Sequence, residues 1–528
     1  MADLEKNFLA AKFDTGAVKN EYIIELDNFL LRPPFMVIGD KLDLVPLKEK
    51  INKLFHGEET KFTISEIDLD SEKDLSKSKS SIIRSLEKDY YLIFTSNSYL
   101  RLIDICGLET LRSHFNRLYL AKLANAGASQ ILNKDNKIEC LFQRPIIDWA
   151  YKKMLEGEMS LACDVLLFYL ELFGPRDLSF LDRMRYISVQ DRTSLPSGDI
   201  ASILNSGAKT DISWFFYKDA VTQEMKRENS KLELPFWNTQ DPPDKKIVFR
   251  RIHSPTDEIL YASIFKDLIK DGLDFLVEAD KRLIDLFSRS FPEVEVLPRL
   301  EKDPHPRFLE SDIGYQANYS DPFELYRNDI NKFIDHSGYL LADPEKVKFW
   351  DNYFAELNNK PRIGISWRSQ GKNRFMDGNA LMLNQWAAIL AMKDFSFINL
   401  QYGHVDEDIA WASENLQSEV HVIKGADIYD DLDGLAAIIS SLDLVISTPN
   451  INAHMAGALG TPLWEMIPSH WHLLLGQNYF PFYPHARIFD LSAKGLENIA
   501  NLLIENMNKS RKNIDPCKGF RNIAHRVI

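Results

Sequence analysis

Cysteine is scarce: Cys106, Cys140, Cys163 and Cys517 are the four in 528 residues, widely separated and without a CxxC pair. That spacing supplies neither a disulfide framework nor a zinc site, so reduced thiols and no metal centre are expected. No apolar run is long enough to span a bilayer, and the opening "MADLEKNFLAAKFD" has acidic residues where a signal peptide would carry its apolar core. A cytoplasmic protein without an integral membrane segment is the expectation. Basic charge is also in deficit, with a net charge of -14, so nucleic acid is not an expected partner and any phosphate site must be local. No segment recurs at a fixed period, which leaves a repeat array without support.

What is present is a globular composition, 45% hydrophobic and 27% charged, in a chain too long for one core. Residues 1–144 mix β-rich runs, "PFMVIG" and "DYYLIFTSN", with amphipathic stretches such as "LETLRSHFNRLYLAKLANAG", and predict an α/β region. Residues 145–243 read as helical, with "IIDWAYKKMLEGEMSLACDVLLFYLELFGP" placing apolar residues at three- and four-residue spacing around a Gly, the pattern of a helical hairpin. The Pro- and Asp-rich "LPFWNTQDPPDKK" predicts a linker.

From 244 the texture becomes regular. "KIVFRRI", "LDFLVEAD" and "VEVLPR" read as strands separated by the helices "SPTDEILYASIFKDLIKDG" and "KRLIDLFSRSFP". After a crossover helix in "SGYLLADPEKVKFWDNYFAELNNK", the alternation resumes from "PRIGISWRS" to "TPLWEMIP". Strands alternating with helices require parallel sheets covered by helices. Two Rossmann-like domains are therefore expected, over 244–345 and 346–510, with 511–528 as a C-terminal tail.

The stretch "STPNINAHMAGALGTPLWEMIP", 447–468, follows the apolar run "LDLVIS". In an open parallel sheet, ligands bind beyond the carboxyl ends of the strands, where turns lead into helices with unpaired N–H groups. Thr448, Pro449 and Asn450 form such a turn, Asn452 is a candidate N-cap, and the small-residue helix ends at Gly460. Its N-terminus would favour a diphosphate.

Taken in order, "PRIGISWRS", "NQWAAIL", "FINLQYG", "DDLDGLAAIISSLDLVIST", "NAHMAGALGTPLWEMIP" and "FPFYPHARIFD" resemble the heptosyltransferase-related glycosyltransferase domain found at the C-terminus of bacterial tetratricopeptide-repeat proteins. Upstream, "DEILYASIFKDLI" and "GYLLADPEKVKFW" are similar to the first half of that domain, so the resemblance covers roughly 245–505. It implies a GT-B fold, two Rossmann-like domains facing a cleft, the second binding a nucleoside-diphosphate sugar and the first the acceptor, commonly without a metal or other cofactor. A protein acceptor, flagellin among them, or a glycan is implied, with the helical region 145–243 as an acceptor-recognising segment.

The same resemblance assigns roles. Asp257, opening the first helix of the acceptor-side domain, is the candidate catalytic base, although "RRIHSPTDE" stands where relatives have a Gly-rich loop. Arg368 would bind donor phosphate oxygens bidentately, with Lys372 and Arg374 as helpers. Gln401 and Tyr402 would flank the base, and Asn450, Asn452 and His454 would line the donor at the helix mouth. Pro449 replaces an Asp that heptosyltransferases carry at this turn. Asp427 and Asp433 are expected to cap the helix that follows them, and Trp464, Trp471 and Tyr483 to serve packing. The competing expectations are a non-catalytic GT-B scaffold and, on the same architecture, a sugar-nucleotide epimerase.

Overall fold

In the computed structural model of the chain, the described residues are 35–39, 64–68, 80, 82–83, 91–95, 99–113, 118–121, 144–171, 197–227, 232–239, 241–250, 254–300, 304–333, 338–357, 360–368, 381–468, 471–510 and 516–524. They fall into two compact units, the first from Met1–Lys153 with Leu161–Leu195 and the second from Met154–Ser160 with Pro196–Ile528.

The first unit carries a four-stranded sheet of β1 (Phe35–Gly39), β2 (Ile64–Asp68), β3 (Tyr91–Thr95) and β4 (Leu118–Ala121) in the order β2-β1-β3-β4. All pairs are parallel. Helices α1 (Tyr99–Cys106) and α2 (Leu108–Ser113) follow β3. The amphipathic run "LETLRSHFNRLYLAKLANAG" thus contains a strand as well as a helix, because Leu118–Ala121 pairs in register with Leu92–Thr95 and β-pairing overrides local helical periodicity. Helices α3 (Arg144–Leu155) and α4 (Met159–Glu171) lie where the helical reading placed them. Gly157 between them has φ +85, a conformation that a side chain would strain.

The second unit opens with α5 (Ser197–Ser206) and α6 (Thr210–Arg227). Trp214 of α6 packs on Phe323, and its indole N–H donates to the Arg327 carbonyl at 2.9 Å. The segment expected as a linker is fastened down instead. Trp237 is buried against Phe249, and its N–H donates to the Gln316 carbonyl at 2.9 Å. Burial of a Trp outweighs the local turn composition.

Two parallel sheets follow. The first contains β5 (Lys246–Arg250), β6 (Phe275–Ala279), β7 (Glu295–Pro298) and β8 (Ile313–Asn318) in the order β7-β6-β5-β8, with α7 (Pro255–Tyr261), α8 (Phe265–Lys270) and α9 (Ile284–Ser290) between strands. After α10 (Pro344–Leu357) comes the second, of β9 (Arg362–Ser366), β10 (Ser396–Asn399), β11 (Val420–His421), β12 (Leu444–Ser447), β13 (Leu463–Ile467) and β14 (Arg487–Asp490). Its order is β11-β10-β9-β12-β13-β14. Renumbered from its own first strand this is 3-2-1-4-5-6, the doubly wound order of dinucleotide-binding folds, and the first sheet is its 3-2-1-4 half. Helices α11 (Asp406–Leu416), α12 (Leu432–Ser440) and α13 (Ile451–Leu459) connect the second sheet's strands.

The central strands are buried on both faces, which explains their unbroken apolar runs. One apolar core runs through both Rossmann-like halves: Phe482 of the second stacks on Phe323 of the first at 5.8 Å and meets Tyr261 edge-on. On the other face of the second sheet, α14 (Ala493–Ser510) and α15 (Pro516–Ala524) close a separate core. The residues expected as a tail thus include a packed helix, with Phe520 and Ala524 buried and the Trp464 indole donating to the Ala524 carbonyl at 3.0 Å.

Candidate functional site

The doubly wound order fixes where a ligand crevice belongs: outside the carboxyl ends of neighbouring strands whose connections leave in opposite directions. In the second sheet that point lies between β9 and β12. Strand β9 runs out at Ser366, Trp367 and Arg368, and β12 at Ser447, Thr448, Pro449 and Asn450.

Ser366, fully buried, is the knot that ties these ends together. Its hydroxyl donates to Gln401 Oε1 at 3.2 Å and accepts from Asn450 Nδ2 at 2.9 Å and Asn452 Nδ2 at 3.2 Å. Gln401 Oε1 also accepts the backbone N–H groups of Trp367 and Arg368 at 3.1 and 3.0 Å. Asn452 reaches the Leu400 carbonyl at 2.9 Å. Gln401, Asn450 and Asn452, all expected at a ligand, are brought together, but their side chains are spent on one another and on the turn.

Asn450, rather than Asn452, is the N-cap of α13. Its Oδ1 accepts from the N–H groups of Asn452 and Ala453 at 2.9 and 3.4 Å, so a carboxamide holds two of the donors that an anion would use. Arg368 is also engaged. Its guanidinium pairs with Asp408 of α11 at 2.8 Å, donates to the His404 carbonyl and lies over the Trp367 ring. The surface ion pair is what the fold builds, and a phosphate would have to compete with Asp408. Lys372 and Arg374 lie outside the described residues. Thr448 Oγ1, buried in the same turn, has no hydrogen-bond partner among the described residues, a circumstance that calls for an explanation in a folded protein.

Asp257 sits in the third position of α7, where its carboxylate accepts from the N–H and hydroxyl of Ser254 at 3.1 and 2.8 Å. This is a reciprocal capping arrangement. It leaves the carboxylate half-exposed and close enough to His454 and His472 to favour the charged form of both rings. The candidate base of the first half and the candidate donor residue of the second are therefore neighbours, at the N-termini of the helices following the first strand of one sheet and the fourth of the other. Burial outweighs Asp257 and holds His454 down at about 4, so the ring is neutral at physiological pH.

Tyr483, expected to serve packing, and residues to which the sequence assigned no role complete this region. His454 Nδ1 lies 3.1 Å from Tyr483 Oη, whose hydroxyl is 3.4 Å from that of Tyr339. Tyr339 donates to the Ile259 carbonyl of α7 at 2.6 Å. Glu465 on β13 is fully buried without a hydrogen-bond partner among the described residues and is raised by burial to about 8. At the carboxyl end of the first sheet, buried Glu258 accepts the Asp280 N–H at 2.7 Å and Arg250 stands 3.5 Å from buried Glu278. The signal for Tyr483 was Gly457: a glycine inside a helix marks close approach by something bulky.

Tyr402 is half-buried after β10, its ring 5.5 Å from that of Tyr429, over which the Arg282 guanidinium of the first half lies at 5.4 Å. Asp431, not Asp427 or Asp433, caps α12, accepting the Gly434 N–H at 2.7 Å. Asp433 instead receives Lys346 at 2.8 Å together with Arg289. Among the described residues no group of three or more His, Cys, Asp or Glu is placed to hold a metal ion, and no helix is long and apolar enough to cross a membrane. A surface groove of about 610 Å³, lined by residues including Leu340, Val347, Asp351 and Leu459, lies at the opposite end of α13 from His454.

Two doubly wound parallel halves sharing a core, with their switch points meeting at α7 and α13, define a GT-B-type α/β protein. No family model matches the chain. It is 28% identical over 303 residues to Protein FlbA of Caulobacter vibrioides, covering 55% of this chain and 50% of that protein. The chain thus spans about half the length of the curated relative it matches. Among solved structures it is similar to a glycosyl transferase family 9 protein from Veillonella parvula, at 12% identity over 52% of this chain and 100% of that chain, with a TM-score of 0.37. It is also similar to the E. coli ADP-heptose LPS heptosyltransferase II, at 15% identity over 49% of this chain and 99% of that chain, with a TM-score of 0.36.

Proposed function

We propose that the second unit is a glycosyltransferase that moves a sugar from a nucleoside-diphosphate sugar to a hydroxyl of a protein or glycan acceptor. The observation that carries this reading is the proximity of Asp257, from one half, to His454, from the other, where the switch points of two doubly wound sheets converge. Asp257 takes the proton from the acceptor hydroxyl, for which a half-exposed carboxylate within a hydrogen-bonded cap is suitably held. The leaving diphosphate is received at the β12–α13 turn by the Thr448 hydroxyl and by Arg368, with Lys372 and Arg374 as helpers. Tyr402 flanks the base. No metal is required in this scheme, since donors of the turn and basic side chains carry the charge that leaves. Flagellin is the protein acceptor to try first, with the helices of the first 240 residues as its recognition surface.

A second reading has its own observation. Arg368 is paired with Asp408, and Asn450 occupies the helix amides, which is what a GT-B shell retained for binding without turnover would show.

The test is a thermal-shift panel of nucleoside diphosphates and their sugars, in which a ligand at 100 times its Kd adds about 2.7 kcal/mol. Wild type is expected to respond to one base. Asp408→Asn, which releases the guanidinium, is expected to tighten that nucleotide by about 3- to 10-fold, the worth of one charge-assisted contact. A panel with no response removes the transferase reading. A response without donor hydrolysis or transfer to any acceptor leaves the scaffold, and product without an acceptor points to an epimerase.

A further inference from the structure

The polar groups around His454 form a chain that one assignment of its protons satisfies at every contact. At its far end, Tyr339 has a single hydroxyl proton and lies 2.6 Å from the Ile259 carbonyl, which can only accept. The Tyr339 oxygen must therefore accept in its 3.4 Å contact with Tyr483, and Tyr483, with its own single proton, donates there. The remaining contact, 3.1 Å from Tyr483 to His454 Nδ1, then needs its proton from the ring. The alternative, in which Tyr483 donates to Nδ1, leaves the two phenol oxygens facing each other at 3.4 Å with no proton between them.

We infer that the Tyr483–Tyr339 relay fixes His454 as the Nδ1–H tautomer, so that Nε2 presents a lone pair and accepts from a substrate hydroxyl instead of donating to a phosphate. Tyr483 and Tyr339 are thus positioning residues, and the relay makes the ring's orientation depend on contact between the two halves, since it runs from α13 to the backbone of α7. The geometry is built in. A Cβ at Gly457 would meet the Tyr483 ring at 2.4 to 2.6 Å, and Gly338, at φ +123, brings the Tyr339 N–H to the Ala458 carbonyl at 2.7 Å.

The groups facing His454 agree. Burial keeps the ring neutral against the pull of Asp257, and Glu465, which acts on Tyr483, is itself held protonated by burial, so neither adds a second proton to the imidazole near pH 7. Phe480 covers a face of the ring at 6.0 Å. No described residue is hydrogen-bonded to Nε2.

That the hydroxyl belongs to a sugar or its acceptor rests on the transferase reading, whereas the tautomer does not. The experiment is ¹⁵N-histidine NMR on the full chain at pH 7.5. The His454 resonances are assigned by their loss in His454→Gln and independently by cross-relaxation to the Phe480 and Tyr483 rings. The expected wild-type pattern is protonated Nδ1 with unprotonated Nε2. Tyr483→Phe, which removes the one acceptor for Nδ1–H among the described residues, is expected to shift the ring toward Nε2–H, and Tyr339→Phe to do so in part. Inorganic pyrophosphate is expected to leave Nε2 unprotonated in wild type. An Nε2–H ring in wild type, an unchanged tautomer in Tyr483→Phe, or protonation of Nε2 by pyrophosphate overturns the inference. None of these readouts requires nucleotide binding or turnover, so failure of the transferase reading is seen separately.

Discussion

Gly457 of α13 lies directly beneath the phenol of Tyr483, close enough that a Cβ at that position would sit 2.4 Å from the ring's Cγ. Neither partner has room to give: α13 packs on the sheet through Ala453, Ala456 and Ala458, and Tyr483 is stacked on Phe480 at 5.1 Å. Gly457→Ala is therefore expected to destabilise the second unit by about 1–3 kcal/mol, as overpacking does. Urea denaturation measures it. Most of the cost should vanish in a Tyr483→Ala background, because the two changes share one contact. Additive costs would mean that the ring is not what Gly457 accommodates.

Glu465 makes stability pH-dependent in a direction opposite to most carboxylates. Burial raises it from 4.5 to about 8, so between those values the folded chain holds a proton that the unfolded chain has released. Stability from this group is complete below pH 4.5 and is lost as pH rises through 8, at about 1.4 kcal/mol per pH unit. Glu465→Gln, which cannot ionise, is expected to gain on wild type steadily across that window. Denaturation midpoints of both chains between pH 5 and 9 give the difference, and a constant offset would show Glu465 to be ionised in the fold. His454 works the other way, its depressed pKa removing stability as pH falls from 6.5 toward 4, so comparison of the two chains isolates the carboxyl.

Asp433 gathers two cations, Arg289 from the first half and Lys346 from the crossover helix α10. The carboxylate is 8% exposed, Arg289 25% and Lys346 42%, and this gradient orders the expected effects. Asp433→Asn should cost about 2–4 kcal/mol because it strands a partly buried guanidinium. Lys346→Met should cost less than about 1 kcal/mol, since its charge is already solvated. Chemical denaturation of the three chains, with Arg289→Met between the extremes, checks the order.

Asp257 has both a structural and a proposed chemical task, and they separate. Asparagine keeps an oxygen able to accept from Ser254, so Asp257→Asn should leave stability within about 1 kcal/mol of wild type. It cannot take a proton, so sugar transfer should fall by about 100- to 10,000-fold. Transfer retained in Asp257→Asn would move the base elsewhere.

The parallel halves were legible because double burial writes them as apolar runs: "KIVF", "FLVEA", "LVIS" and "LWEMI" all became strands. β2, β4, β8, β11 and β14 were missed, since "ISEID", "LYLA", "IGYQAN", "VH" and "RIFD" are short or polar and owe their state to neighbours already paired. Of the site, the sequence offered Asp257 and His454 as separate candidates, and their meeting needed the packing of α7 against α13. The engagement of Arg368 by Asp408 did not, because a guanidinium at a strand end looks the same whether it faces a ligand or a helix forty residues away.

The sequence by itself determined the periodicities, hence the parallel sheets, the positions of the turns beyond their strands, and the glycine that admits a tyrosine. Tertiary structure alone decided which polar groups are occupied and which are available. Hydrogen bonds are saturable and depend on who arrives: Ser366, Asn450 and Tyr339 each found partners 35 to more than 80 residues away, and no local pattern encodes the order in which such partners fill one another's lone pairs.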